Sequence, residues 1–183
     1  MNNRVFASRV LAGVGLALLA VGMATQHVAA QSRATERFAA VDEAMYRPDF
    51  TLSTPDGELR SIDDWSGQVV LIDFWASWCI PCRREMPVFN ELRARYADQG
   101  FEVVGLAADE LDKVRQFLSE VPIEFPIVYG NVFEIMGISE EYGNSYGGLP
   151  FSAVIDREGY VRYTQKPGTV SFEDVEEILE RLL

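Results

Sequence analysis

From residue 50 onward, apolar positions follow two rhythms: short unbroken or alternating runs that suit strands, and three-to-four-residue spacings that suit helices. Val69 to Phe74 is apolar except for Asp73 and rich in Val and Ile, which predicts a strand buried on both faces. Ile80 to Gln99 then places Met86, Phe89, Leu92 and Tyr96 at helical spacing and ends at Gly100, a C-terminal stop. Pro81 suits the first helical turn, whereas Pro87 predicts a bend. Phe101 to Ala107 is a second apolar run, so strand, helix and strand predict a βαβ unit with parallel strands.

Downstream, Leu111 to Glu120 reads as a helix capped by Asp109, with Val114, Phe117 and Leu118 on one face. Phe125 to Tyr129 reads as a short strand, and Asn131 to Tyr142 as a helix broken at Gly137. Phe151 to Ile155 and Tyr160 to Tyr163 flank Asp156-Arg157-Glu158-Gly159 as a hairpin. Ser171 followed by Asp174 resembles a capping box, and Phe172, Val175, Ile178 and Leu182 give the last helix one apolar face. Upstream, Phe50 and Leu52, a turn at Asp56-Gly57, and Glu58-Leu59 predict an N-terminal hairpin, after which Ser61 caps a short turn through Asp64.

The beginning of the chain follows a different logic. Arg4 and Arg9, the apolar stretch Val10 to Ala24 and the small residues Val28-Ala29-Ala30 mark 1–30 as a signal peptide, with an uncleaved anchor as the alternative. Either reading exports the rest of the chain, to a periplasm or an equivalent compartment. Residues 31–47 are polar and Ala-rich and read as a mobile leader or short helix, leaving 48–183 as one domain.

The 183 residues carry 16 basic and 28 acidic side chains, a formal charge of −12, and removing 1–30 makes the remainder more acidic still. Such a surface disfavours nucleic acid and anionic membranes as partners. The single histidine, His27, lies in the targeting segment, which removes the usual base of Ser-His-Asp and Cys-His hydrolases and the usual metal ligand. With two thiols and no histidine beyond it, a tetrahedral zinc site lacks ligands and no metal is expected.

Those two thiols, the only cysteines, sit in Trp78-Cys79-Ile80-Pro81-Cys82, directly after the first apolar strand and at the start of the helix. Two thiols at this spacing can close into a disulfide and reopen, and a helix N-terminus stabilises the attacking thiolate through its unpaired N–H groups and dipole. An inert bridge or a pair of buried thiols is the plainer alternative, but so short a loop contributes little as a staple.

Asp73-Phe74-Trp75-Ala76-Ser77-Trp78-Cys79-Ile80-Pro81-Cys82 and Arg83-Arg84-Glu85-Met86-Pro87, with Pro48-Asp49-Phe50 upstream and Gly148-Leu149-Pro150 and Ile155-Asp156-Arg157-Glu158-Gly159 downstream, resemble the thioredoxin superfamily. The match is to exported thioredoxin-like reductases of the TlpA and ResA kind. It implies an α/β thioredoxin-like fold with a central mixed sheet, helices on both faces, an N-terminal hairpin and a helical insertion before Pro150. It further implies that Cys79 attacks, that Cys82 resolves, and that Asp73 accepts and returns a proton. Glu85 matches a glutamate that tunes the thiols, with a solvated helix glutamate as the alternative. Pro150 matches the proline held as a cis peptide facing the cysteines and Leu149 shapes substrate access, but Pro150 is followed by Phe151-Ser152 where thioredoxins often have a threonine, a departure that bears on partner specificity. Trp75 and Trp78 read as core and rim packing, Trp78 being able to touch a partner.

No cofactor beyond the Cys79–Cys82 disulfide is implied. The partners implied are protein dithiols and disulfides and a membrane-bound electron donor, with cytochrome c maturation or oxidase assembly as the setting. A different class of function uses the same thiols to bind Cu(I), with Met86 as a further soft ligand. A peroxidase is disfavoured because Ala76 stands three residues before Cys79, where peroxiredoxins place Thr or Ser.

Overall fold

The computed structural model describes residues 37–183; the predicted signal peptide 1–30 and residues 31–36 lie outside them. Eight strands form one mixed sheet in the order β1-β8-β7-β4-β5-β6-β2-β3. These are β1 (Phe38–Tyr46), β2 (Thr51–Ser53), β3 (Leu59–Ser61), β4 (Val69–Trp75), β5 (Phe101–Ala108), β6 (Ile127–Gly130), β7 (Phe151–Ile155) and β8 (Tyr160–Gln165). Among the described residues the α-helices are α1 (Ile80–Tyr96), α2 (Leu111–Glu120), α3 (Val132–Glu141) and α4 (Phe172–Leu182). Among the described residues, no helix is long and apolar enough to cross a membrane.

Strand β4 lies at the centre and is buried along its whole length. It pairs in parallel with β5, from Val69↔Phe101 to Trp75↔Ala107, and antiparallel with β7, where Asp73 faces Ser152. Alternation along β4 assigns its side chains to the two faces of the sheet. Trp75 meets Phe117 of α2 with ring centroids 4.7 Å apart, while its neighbour Phe74 meets Tyr142, just after α3, at 5.8 Å. Helices therefore cover both faces. Helix α4 joins α1, Tyr96 donating a 2.7 Å hydrogen bond to Glu176.

The predicted hairpin is present: Thr51 pairs with Ser61, and the turn carries Gly57 at φ 97°. Ser61 and Asp64 form a reciprocal capping box on a short 3-10 turn, Ile62–Trp65. Helix α1 continues through Pro87 and hands over to a 3-10 turn, and Gly100 ends the segment in the left-handed region at φ 82°. The insertion helix α3 departs from expectation in being unbroken at Gly137. Asn131 caps it by accepting from the Glu134 N–H, and Ile135 and Ser139 are buried beneath it, which outweighs the roughly 1 kcal/mol that one helical glycine costs.

The leader assignment needs correction. Within 31–47, Phe38–Tyr46 is an edge strand rather than a mobile segment or helix, pairing antiparallel with β8 from Phe38↔Gln165 to Tyr46↔Tyr160. Composition hid it, because Ala, Asp and Glu are poor strand formers. What recruits the segment is the free edge of β8, whose backbone groups need partners, together with full burial of Phe38. The folded unit thus includes residues ahead of the predicted boundary at Pro48.

Candidate active site

Strand β4 ends at Trp75, and the chain turns through Ala76-Ser77-Trp78 into α1. Cys79 is the N-cap of that helix, its Sγ accepting from the Cys82 N–H at 3.3 Å, with Pro81 in the first turn where no donor is needed. Cys79 and Cys82 are joined in a disulfide with their Cα atoms 5.3 Å apart. Cys79 keeps 5% of its surface accessible and Cys82 none. Cys79 is thus less open than an attacking thiol is expected to be in the closed state; the exposure belongs to its neighbours Trp78 and Ile80, at 63% and 69%.

The turn before Cys79 is held by a residue assigned a different task from the sequence. Asp109 does not cap α2, whose N-cap is Glu110. Its Oδ2 instead accepts from the Ser77 hydroxyl at 2.5 Å and the Ser77 N–H at 3.3 Å, while Oδ1 accepts from the Glu110 N–H. Register explains this: Trp75 and Ala107 are opposite each other at the ends of parallel strands, and two residues on, Ser77 and Asp109 still face one another.

Two acids are enclosed on the elements that carry the disulfide, Asp73 on β4 and Glu85 one helical turn after Cys82. Asp73 is fully buried, and Glu85 is 1% exposed, which removes the solvated-glutamate reading. Asp73 Oδ1 has a single long contact, from the Ser152 hydroxyl at 3.5 Å, and Oδ2 has no partner. Burial, reinforced by the charge of Glu85, holds the Asp73 carboxyl well above the usual range. Glu85 Oε1 accepts from the Val170 N–H at 2.7 Å and from Gln165 Nε2 at 3.2 Å. Burial nonetheless pushes this carboxyl up to about 7 against those two stabilising bonds.

On the far side of β4, the Leu149–Pro150 peptide bond is cis, as the resemblance implied. Pro150 is buried and Leu149 half-buried. Two residues not singled out from the sequence build this loop. Asn144, buried, donates to the Gly148 carbonyl and accepts from the Gly147 N–H. Tyr146 donates its hydroxyl to the Pro150 carbonyl at 2.7 Å and sets its ring edge-on to Phe151. Gln165 is buried on β8 beyond an irregularity in that strand's pairing with β7, and neither it nor Tyr146 carried a local signal in the sequence.

A family model described as Redoxin matches residues 40–179. The thiol-disulfide oxidoreductase ResA of Bacillus thuringiensis is 34% identical over 138 residues, covering 74% of this chain and 75% of that protein. The thioredoxin-like protein YneN of Bacillus subtilis is 34% identical over 145 residues, covering 76% and 80%. A crystal structure of a thiol:disulfide interchange protein of the thioredoxin family from Chlorobium tepidum superposes with TM-score 0.67 at 29% identity, over 78% of this chain and 99% of that one. A closable dithiol at a helix start on a thioredoxin-like sheet, matched along most of the described chain by such relatives, leads to one conclusion: the chain belongs to the Redoxin family, as a ResA-like thiol-disulfide oxidoreductase of the thioredoxin superfamily.

Proposed function

We propose that the protein works in an exported compartment as a reductant of protein disulfides, in the service of cytochrome c maturation or oxidase assembly, and is itself recharged by a membrane-bound electron donor. The observation that carries this reading is the position of Cys79, the N-cap of α1 and the outer partner of a disulfide whose other sulfur is wholly enclosed.

In the reduced protein the Cys79 thiolate, stabilised by the helix end, attacks a partner disulfide. One partner sulfur bonds to Cys79 and the other leaves as a thiolate. Cys82 then gives its proton to Asp73, and its thiolate attacks Cys79 Sγ. The mixed disulfide breaks, the Cys79–Cys82 bond forms, and the partner departs having gained two electrons, its thiolates taking up two protons. Glu85 sets the electrostatic background of both thiols. Trp78, Leu149 and Pro150 form the surface on which an extended partner segment lies.

The test is the reduction potential of the Cys79/Cys82 couple in the exported domain, followed by trapping with Cys82→Ser. A potential near the thioredoxin value of about −270 mV, with Cys82→Ser accumulating mixed disulfides through Cys79, is the expected outcome. A value near the DsbA value of about −120 mV reverses the direction and makes the protein an oxidant. Stoichiometric Cu(I) binding that shields both thiols from alkylation, without disulfide turnover, would replace the redox reading by copper delivery. In that case Met86, buried in the core, would have to move to act as a ligand.

A further inference from the structure

The buried floor of the site holds two carboxyls where the reaction above uses one as a base. Each has an oxygen without a partner, Asp73 Oδ2 and Glu85 Oε2, and Gln165 Oε1 beside them is equally unpaired. Ala153 of β7 pairs with Thr164 of β8, which sets Ser152, the partner of Asp73, beside Gln165, the partner of Glu85. A buried carboxyl oxygen without a donor is stabilised by carrying a proton. We propose that Asp73 and Glu85 are one proton-sharing pair, which carries a single proton while the disulfide is closed and takes up the Cys82 proton as a unit during resolution. The proposal rests on the redox reading above and deepens it.

The surroundings of the pair explain why one proton stays. Ser152 of β7 faces Asp73 with a hydroxyl. Gln165 of β8 and the Val170 N–H, in the loop leading to α4, face Glu85. Gly105 of β5 lies opposite Asp73 in the sheet, and Cys82 of α1 stands one turn before Glu85. Tyr146, from the loop before β7, feels the charge of Glu85, and burial together with that charge pushes its phenol up to about 12. None of these neighbours is a cation. Two buried carboxylates that feel each other's charge, with no cation among these neighbours, are strongly disfavoured, so the pair is a monoanion near neutral pH.

The asymmetry of the pair is set by its donors. Glu85 Oε1 receives two hydrogen bonds, one from a backbone N–H, whereas Asp73 has one long contact. Glu85 is therefore the better anion, and Asp73 keeps the resident proton. When Cys82 gives its proton to Asp73, Asp73 passes its resident proton to the Glu85 carboxylate, the monoanion becomes a neutral pair, and the Cys82 thiolate displaces the partner sulfur from Cys79. The departing partner thiolate or solvent then takes the proton back. Charge and proton balance in each step, and no second negative charge has to exist beside the forming disulfide.

The experiment has two arms, with Asp73→Asn and Glu85→Gln chosen to keep side-chain shape and circular dichroism as the fold control. In the first, infrared difference spectra of the closed-disulfide protein follow the carboxyl stretch against pH. Wild type is expected to lose its two carboxyl protons in separate steps. Each variant should show one step, and the Asp73 step in Glu85→Gln should fall below the upper step of wild type because the neighbouring anion is gone. In the second, release of a partner from its mixed disulfide at pH 7 should slow by on the order of a hundredfold in each single variant. The double variant should be little slower than the worse single. An Asp73 step unmoved by Glu85→Gln, or rate losses that multiply in the double variant, would overturn the pair. Failure to form any mixed disulfide would instead sink the redox reading, while the first arm, which needs no partner, would still report on the pair.

Discussion

The rim and the floor of the redox centre are built against opposite solvation preferences. On the rim, Trp78 and Ile80 hold large apolar side chains in water; on the floor, Asp73 and Glu85 hold carboxyls out of it. Ordinary folding energetics favours neither arrangement, since exposed apolar area waits to be buried and buried charge waits to be neutralised. Both expenses are met on the two sides of one disulfide. In the proposed reaction the rim is relieved when a partner docks and the floor when a proton arrives, the disulfide exchanging electrons with the first while its Cys82 proton goes to the second.

The largest expected effect removes the element that joins the two regions. Cys79→Ala leaves no outer nucleophile, so turnover of a protein disulfide should vanish while folding of the reduced protein persists; measurable turnover would mean that Cys82 can attack directly. Next is the floor. Glu85 has its carboxyl raised from the ordinary 4.5 to about 7, so between those values the folded protein holds more protons than the unfolded chain. The contribution of this group to stability is fully present below about pH 4.5 and is lost as pH rises through 7, a change of about 3 kcal/mol. The raised Asp73 carboxyl acts in the same direction. Denaturant titrations of Glu85→Gln should show that slope flattened, and an unchanged slope would contradict the buried position of Glu85.

Smaller effects separate the rim from its support. Asp109→Ala leaves the Ser77 hydroxyl and N–H without their acceptor and should cost about 1–3 kcal/mol. The accompanying readout is a shift in the reduction potential, because the turn that carries Cys79 is loosened; a stability loss with the potential unmoved would make Asp109 a mere brace. Trp78→Ala should be the mildest. KM for a protein disulfide should rise by roughly threefold to tenfold, equivalent to about 1 kcal/mol of lost contact, with midpoint potential and melting temperature unchanged. A fall in kcat without a change in KM would place Trp78 on the floor's side of the comparison.

Legibility in the sequence followed the range of the interactions involved. The Cys79–Cys82 spacing, the cap at Ser61, the capping box at Ser171, the turn at Gly57 and the stop at Gly100 are local, and each appears where its pattern placed it. Glu85 remained ambiguous because its hydrogen-bond partners, Gln165 and Val170, lie 80 and 85 residues away. Asp109 was misassigned for a related reason: a cap is a local expectation, and the bond to Ser77 spans 32 residues. β1 escaped notice since its strand character comes from β8 rather than from its own composition.

By itself, then, the sequence determined the periodic elements, the helix start that carries two thiols, and the absence of histidine from residues 31–183, because these depend on neighbours within a turn or a strand. The tertiary structure decided that Glu85 joins Asp73 out of water, which aspartate holds the Cys79 turn, and where the sheet ends. Those properties arise only when β4, β7, β8 and α1 are brought into register, since burial and unpaired hydrogen bonds belong to the packed assembly and not to any single segment.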